Sequence, residues 1–169
     1  DYYFMGEHVN KLNDRKRSEL YKYHIGFVFQ AYHLIDELTV YENIEAPLLY
    51  KKMNGSERRS KVADILDRFN IVGKKDLFPN QLSGGQQQLV GVARAIVRHP
   101  KLILADEPTG NLDPETSDGI MQLLFRICRE GTAIVMATHD YIVLQKFPSR
   151  VLRTENGHVT DNAAVNFSS

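Results

Sequence analysis

Cysteine is almost absent from these 169 residues: Cys128 stands alone, so no internal disulfide forms and nothing favours an oxidising compartment. No charge of one sign dominates, because 21 basic residues face 21 acidic ones. A protein that grips a long polyanion needs a basic excess, so we expect no nucleic-acid partner, although a small phosphate site fits this balance. No apolar run reaches the ~18 residues that cross a bilayer, so membrane contact is expected through a partner.

The chain begins Asp1-Tyr2-Tyr3, with neither an initiator methionine nor the layout of a signal peptide. We therefore expect it to be part of a longer protein. An apolar share of 43% and a charged share of 25% are typical of a soluble globular domain. No repeat, low-complexity tract or linker divides it, so we expect one continuous unit, residues 1–169.

Apolar runs without polar alternation predict buried strands at residues 25–29, 102–105 and 133–137. An edge strand with a turn at Asn156-Gly157 is predicted after Arg150. Helices are predicted between the strands from capping signals and from apolar residues at helical spacing. Their expected starts are Thr39, Ser56, Ser83 and Asp113, and their expected ends are Leu49, Phe69, Arg98 and Gly131. The alternation predicts an α/β fold, a parallel sheet with helices on both faces.

Residues able to do chemistry follow the predicted strands, where parallel sheets bind ligands. Asp106 and Glu107 are adjacent carboxylates, one suited to hold Mg²⁺ and the other to polarise a water. Residues 83–85, Ser-Gly-Gly, place free amides at the positive end of a helix, which suits an anion. Gln30 and His139 also fall at predicted strand ends or just past them. Taken singly, each has an ordinary structural explanation.

Five motifs, in their order and spacing, remove most of that ambiguity. They are Ile25-Gly-Phe-Val-Phe-Gln30, Leu82-Ser-Gly-Gly-Gln-Gln-Gln88, Leu102-Ile-Leu-Ala-Asp-Glu-Pro-Thr109, Asn111-Leu-Asp113 and Thr138-His-Asp140. This series strongly resembles the ATP-binding subunit of ABC transporters, with its Q-loop, signature, Walker B strand and glutamate, D-loop and switch histidine. The resemblance covers the chain from about Gly6 to Val159.

The resemblance implies a P-loop NTPase-like core with a mostly parallel sheet and a helical signature subdomain inserted at about 39–99. It implies an ATPase that works as a sandwich of two such subunits and requires ATP and Mg²⁺. The implied partners are a second ATP-binding subunit, as a homodimer, and an integral membrane protein of permease type. The implied location is peripheral, at the cytoplasmic face of the inner or cell membrane.

The resemblance also implies a role for each matching residue. Asp106 would support the Mg²⁺, and Glu107 would be the general base for water attack on the γ-phosphate. His139 would contact that phosphate, and Gln30 would sense the metal and the water while its loop touches the membrane partner. Positioning and charge neutralisation of this kind are what phosphoryl transfer needs.

Other matching residues would act across the dimer. Ser83, Gly84, Gly85 and Gln86 would contact the ATP held by the opposite subunit, and Asp113 would lie across the interface. Leu89 departs from the family, which usually has a basic residue after the signature glutamines.

The largest departure is the family's phosphate cradle, G-x-x-x-x-G-K-[ST]. The chain's one Gly-Lys pair is Gly73-Lys74, but Lys75 follows it and Arg68 stands where the first glycine belongs. We expect an N-terminally truncated domain that lacks on the order of 50 residues. The chain as given is then expected not to bind ATP productively, and to expose apolar faces and unpaired strand edges.

Several alternatives remain open at this point. The segment 25–49 looks like lipoprotein-release or macrolide-export subunits, whereas 131–159 looks more like the cell-division subunit; the first is slightly favoured. A catalytically inactive interaction module is the second hypothesis. A DNA-repair or chromosome-structuring ATPase is disfavoured, because no long coiled coil separates Gln30 from Ser83. Cys128 is expected to lie in the core.

Overall fold

The structure, a computed structural model, describes residues 3–50 and 52–162. It divides into two compact units, Asp1–Thr138 and His139–Ser169. Within the described ranges, no helix combines the length and the hydropathy needed to cross a membrane.

The described residues of the first unit form five strands and five helices of more than one turn, together with short 3-10 turns. Its strands are β1 Tyr3–Phe4, β2 Glu7–His8, β3 Ile25–Phe29, β4 Leu102–Asp106 and β5 Ala133–Ala137. Its helices are α1 Asp14–His24, α2 Val40–Glu45, α3 Gly55–Arg68, α4 Gly84–Ile96 and α5 Pro114–Arg129. The three strands expected from apolar runs are confirmed, whereas β1, β2 and α1 were not predicted.

The central sheet is parallel and has the order β3-β4-β5. On one face, β3 packs so closely on α4 that a Cβ at Gly26 would lie 2.7 Å from the Ala95 carbonyl oxygen. On the other face, Leu20 of α1 joins Ile25 and Leu102 in a hydrophobic cluster. Helices therefore lie on both faces, as the alternation of apolar segments predicted.

Burial of β5 differs from the prediction. The strand forms, but its residues alternate between exposed and half-buried, and Val135 is 57% exposed. In register with Val135 lie Leu104, which is half-buried, and Phe27, which is 40% exposed. Within the part of the chain that the structure describes, this row leaves an open apolar surface on the sheet.

Helix boundaries follow the local capping chemistry. Thr39 and Glu42 form the predicted capping box at the start of α2, and the helix gives way to a 3-10 turn at Pro47. For α3, the N-cap is Asn54 rather than the predicted Ser56, because the Asn54 side chain accepts from the Glu57 amide. The expectation that Cys128 is buried is wrong: it lies on the exposed face of α5.

The second unit holds α6 Tyr141–Lys146 and a hairpin of β6 Val151–Glu155 and β7 His158–Asn162. Asp140 caps α6 by accepting from the amides of Ile142 and Val143. The hairpin turns at Asn156 and Gly157, both with positive φ, as the turn signal predicted.

Candidate functional site

Glu107 lies directly after β4, at the carboxyl end of the central sheet. Its amide donates to the Ala137 carbonyl at 2.9 Å, and its carboxylate accepts from the Thr138 hydroxyl at 3.0 Å. Its φ of 44° falls in the left-handed region, which few residues with a side chain adopt. Two contacts to the end of β5 thus hold the carboxylate at the mouth of the sheet.

Gln30 lies beside the turn that follows Glu107. Its side chain approaches Gly110 so closely that a Cβ there would lie 2.6 Å from the Gln30 Nε2 atom. The Gly110 amide in turn donates to the Glu107 carbonyl at 2.9 Å. The structure therefore brings two predicted site residues, Gln30 and Glu107, to the same edge of the sheet.

The segment after Gln30 is fixed by the side chains of Arg94 and Asn43. Arg94 of α4 donates to the carbonyls of Tyr32 at 3.1 Å and His33 at 2.6 Å, and burial lowers its pKa. The fully buried Asn43 accepts from the Ile35 amide at 2.9 Å and donates to the Ile35 carbonyl at 3.0 Å. This loop is consequently held by α2 and α4 together.

The predicted anion site, residues 83–85, forms the start of α4 together with Gln86. The Ser83 hydroxyl accepts from the Gln86 amide, and the Gln86 side chain accepts from the Ser83 amide, which completes the predicted capping box. The first amides of a helix have no acceptor within it, so those of Gly84 and Gly85 suit an anion. The Tyr32 hydroxyl lies 2.7 Å from the position of a Cβ on Gly84.

Asp113 caps α5 and reaches the start of α4 through Thr116. Its carboxylate accepts from the Thr116 hydroxyl at 2.5 Å and from the Thr116 amide at 3.0 Å. These bonds, the hydroxyl contributing more, hold the pKa of Asp113 below its ordinary value of 3.8. The Thr116 methyl would lie 2.4 Å from a Cβ on Gly85, so glycine there permits the two helix ends to meet.

A further contact joins α4 to the turn after Glu107. Gln88 is 1% exposed, and its side-chain amide donates to the Pro108 carbonyl at 2.5 Å. No role was predicted for Gln88 or Arg94 from the sequence, because their hydrogen-bond partners are distant along the chain. Gln88 lies at helical spacing from the apolar residues Val92 and Ala95. A polar residue in such a buried row usually has a hydrogen-bond partner, so this spacing was the sequence signal for a role of Gln88.

Asp106 and His139 complete the predicted set. Asp106 ends β4 and is exposed, so its carboxylate is open to a ligand. His139 begins the second unit and follows Thr138 directly along the chain. Its role at the site stays a prediction.

The donor set has the chemistry that Mg²⁺ prefers. Asp106, Glu107 and Gln30 supply carboxylate and amide oxygens at one edge of the sheet. Within residues 3–50 and 52–162, no three histidine, cysteine or acidic side chains are grouped to hold a metal by themselves. Because Mg²⁺ commonly takes one or two carboxylates together with substrate phosphates, these residues fit an ion shared with a triphosphate.

Comparison with protein families and known proteins gives concordant matches. Residues 3–110 match the family described as ABC transporter. The cell division ATP-binding protein FtsE of Escherichia coli strain K12 is 41% identical over 157 residues, which cover 93% of this chain and 70% of that protein. The lipoprotein-releasing system ATP-binding protein LolD 2 of Caulobacter vibrioides is 39% identical over 155 residues, or 91% and 68% of the two chains.

Solved structures share the fold. The ATP-binding cassette MJ0796, solved as a dimer in a post-hydrolysis state with ADP and Pi, is similar with a TM-score of 0.80 and 38% identity over 95% of this chain and 71% of that one. CbiO1 of Clostridium perfringens, part of the ABC transporter complex cbiONQ, has a TM-score of 0.83 and 30% identity. That match covers 94% of this chain and 63% of CbiO1.

Proposed function

Because this chain belongs to the ABC transporter family of ATP-binding subunits, we propose that it serves to couple ATP hydrolysis to work on a membrane partner. The partner complex is one of export, lipoprotein release or cell division, the functions that the names of the relatives span. Family members bind ATP with Mg²⁺. The observation that carries the proposal is the meeting of Gln30, Glu107 and Thr138 at one edge of the sheet.

Each site residue has a proposed part in the reaction. Glu107 accepts a proton from the attacking water, and Thr138 keeps its carboxylate oriented through the hydroxyl contact. Gln30 orients the same water, and Asp106 holds Mg²⁺, which neutralises charge on the phosphates when bound. His139 donates to the γ-phosphate.

The dimer contacts are proposed from the start of α4 and from the cap of α5. The amides of Gly84 and Gly85, with the side chains of Ser83 and Gln86, bind the phosphates of the nucleotide on a second copy. Asp113 lies against that copy. The Thr116 methyl lies close to Gly85, so the start of α4 and the start of α5 approach each other directly.

A second function, an interaction module without catalysis, is favoured by one specific observation. The 169 residues contain no G-x-x-x-x-G-K-[ST] segment, so the nested amides and the lysine that hold β- and γ-phosphates are absent from them. We propose that these residues alone retain the dimer and partner surfaces but do not bind ATP productively.

Calorimetric titration of the chain with Mg-ATP tests this point. We expect no saturable binding at sub-millimolar nucleotide, because the remaining contacts are a helix N-terminus and single polar side chains. Saturable binding at micromolar ATP would contradict the proposal and would mean that the described residues form a complete phosphate site.

A further inference from the structure

A groove of about 410 Å³ runs between α4 and α5 and reaches the end of α3. We call it the α4–α5 groove. Its apolar surface is formed by Phe69, Leu89, Ile120 and Leu123. Phe69, Ile120 and Leu123 are buried in the body of the unit, whereas Leu89 is half-buried.

One side of the groove is a single stripe of α5. Thr116, Gly119, Ile120, Leu123 and Arg126 all line it, at the i, i+3, i+4, i+7 and i+10 positions of a helix. Ten residues at 1.5 Å each give a length of about 15 Å. That length accommodates about three turns of a second helix laid beside α5.

Gly119 lies in the middle of this stripe, and no contact among the described residues requires a glycine there. Glycine inside a helix is unfavourable relative to alanine because it carries extra backbone entropy when unfolded. At Gly85 a neighbouring methyl group demands glycine, but a Cβ on Gly119 would meet nothing within 4 Å. The absence of a side chain therefore deepens the groove at its centre and permits a close approach from outside.

The charge of the groove is positive. Arg68 and Arg126 line it, and none of the described residues that line it is acidic. Arg68 forms an ion pair with Glu130 at 2.5 Å. The Arg126 side chain is exposed and forms no ion pair within residues 3–50 and 52–162.

We propose that the α4–α5 groove is a docking site for an acidic amphipathic helix of a protein partner. Apolar side chains of that helix pack on Leu89, Ile120 and Leu123, its backbone crosses above Gly119, and its carboxylates meet Arg126. The groove is open along its length, whereas small-molecule sites enclose most of their ligand, so an extended helix fits it better. Ser83, Gly85 and Gln86, for which nucleotide contact is proposed above, line the end of the groove at the start of α4, so a bound helix and the nucleotide of a second copy would compete there.

Selection from a displayed library of randomised helical peptides, about 16 residues long, tests the proposal. The full 169-residue chain is the target, and the Gly119→Leu variant, which fills the groove, is the counter-selection. Enriched peptides should carry apolar residues at i, i+3 or i+4, and i+7, together with a net negative charge. No enrichment, or enrichment of basic peptides, would overturn the proposal.

Affinity of one enriched synthetic peptide for variants locates the site. Gly119→Leu and Arg126→Glu should each weaken binding at least ~tenfold. The matched controls Gly73→Leu, another glycine with open space around it, and Arg129→Glu, on α5 outside the groove, should leave binding unchanged. Gly119→Ala should raise the Tm, which establishes that the glycine is not needed for folding.

Other occupants of the α4–α5 groove would give different results in these experiments. Dimers of the chain that Gly119→Leu dissociates would assign the groove to a second copy. Saturable binding of sodium decanoate, lost in Arg126→Glu and unaccompanied by peptide binding, would assign it to a small anionic amphiphile. Equal peptide affinity for the chain and for both groove variants would place the peptide elsewhere. Each of these results overturns the proposal.

Discussion

Glu107 and Gln30 depend on neighbours that carry no reactive group themselves. The left-handed backbone of Glu107 is kept by bonds to Ala137 and Thr138, and strain of this kind is common where a structure fixes a functional side chain. Gly110 leaves the space that the Gln30 side chain occupies. At the scale of single residues, the site is defined by close approach as much as by charge.

Gly110→Ala should displace Gln30, because the new methyl group would overlap its amide. In NMR spectra of the chain, the Gln30 side-chain amide signals should move. Displacements near 1 Å cost up to ~10²-fold in rate, so a hydrolysing form of the protein should slow by roughly that factor. Gly73→Ala is the matched control, and unchanged Gln30 signals in Gly110→Ala would contradict the placement.

Helix starts form the next scale, because three of the predicted motifs are also N-caps. Thr39, Ser83 and Asp113 each accept from an amide three residues on, and these local bonds made the helix starts predictable from sequence. Arg94 and Gln88 were not predictable in this way, because their acceptors lie on loops that only the folded chain brings to α4.

Thr116→Val should raise the pKa of Asp113 towards 3.8, because the hydroxyl bond is the larger cause of its lowered value. A group with a lowered folded-state pKa stabilises the fold above its unfolded pKa, and that contribution is lost as pH falls through the folded value. The unsubstituted chain should therefore have the larger free energy of unfolding above pH 3.8, and its difference from Thr116→Val should narrow below that pH.

Carbon-detected NMR titration of the Asp113 carboxyl, with thermal melts at each pH, measures both effects. The control is Thr160→Val, since the Thr160 hydroxyl donates to a backbone carbonyl and not to a carboxylate. An Asp113 pKa that is the same in both proteins would contradict the assigned cause.

The open sheet face is a property of the whole molecule. Sequence predicted that β5 is a strand, because its five residues are apolar, but predicted its burial wrongly. A run of apolar residues indicates that a strand has an apolar surface to bury. It does not indicate which element of the described chain covers that surface. The parallel pairing of the sheet and the strand-end position of the proposed site residues were predictable from the alternation of strands and helices, whereas the order β3-β4-β5 was not predicted.

The chain should self-associate through this face, because Phe27, Leu104 and Val135 form one apolar row. Val135→Glu should reduce the association by placing a charge at the exposed end of the row. Val72→Glu changes an exposed valine outside the sheet, 48% accessible, and should have no effect. Sedimentation velocity over a concentration series distinguishes the variants, and a monomeric wild-type chain throughout would contradict the expectation.

The central claim is that Glu107 is the general base of an ATP site shared by two copies. Its most direct test is Glu107→Gln in the chain preceded by a segment that carries G-x-x-x-x-G-K-[ST], with phosphate release and ATP-dependent dimerisation measured together. Phosphate release should fall at least ~10²-fold, while ATP still drives dimer formation. Full turnover by the Glu107→Gln protein would contradict it.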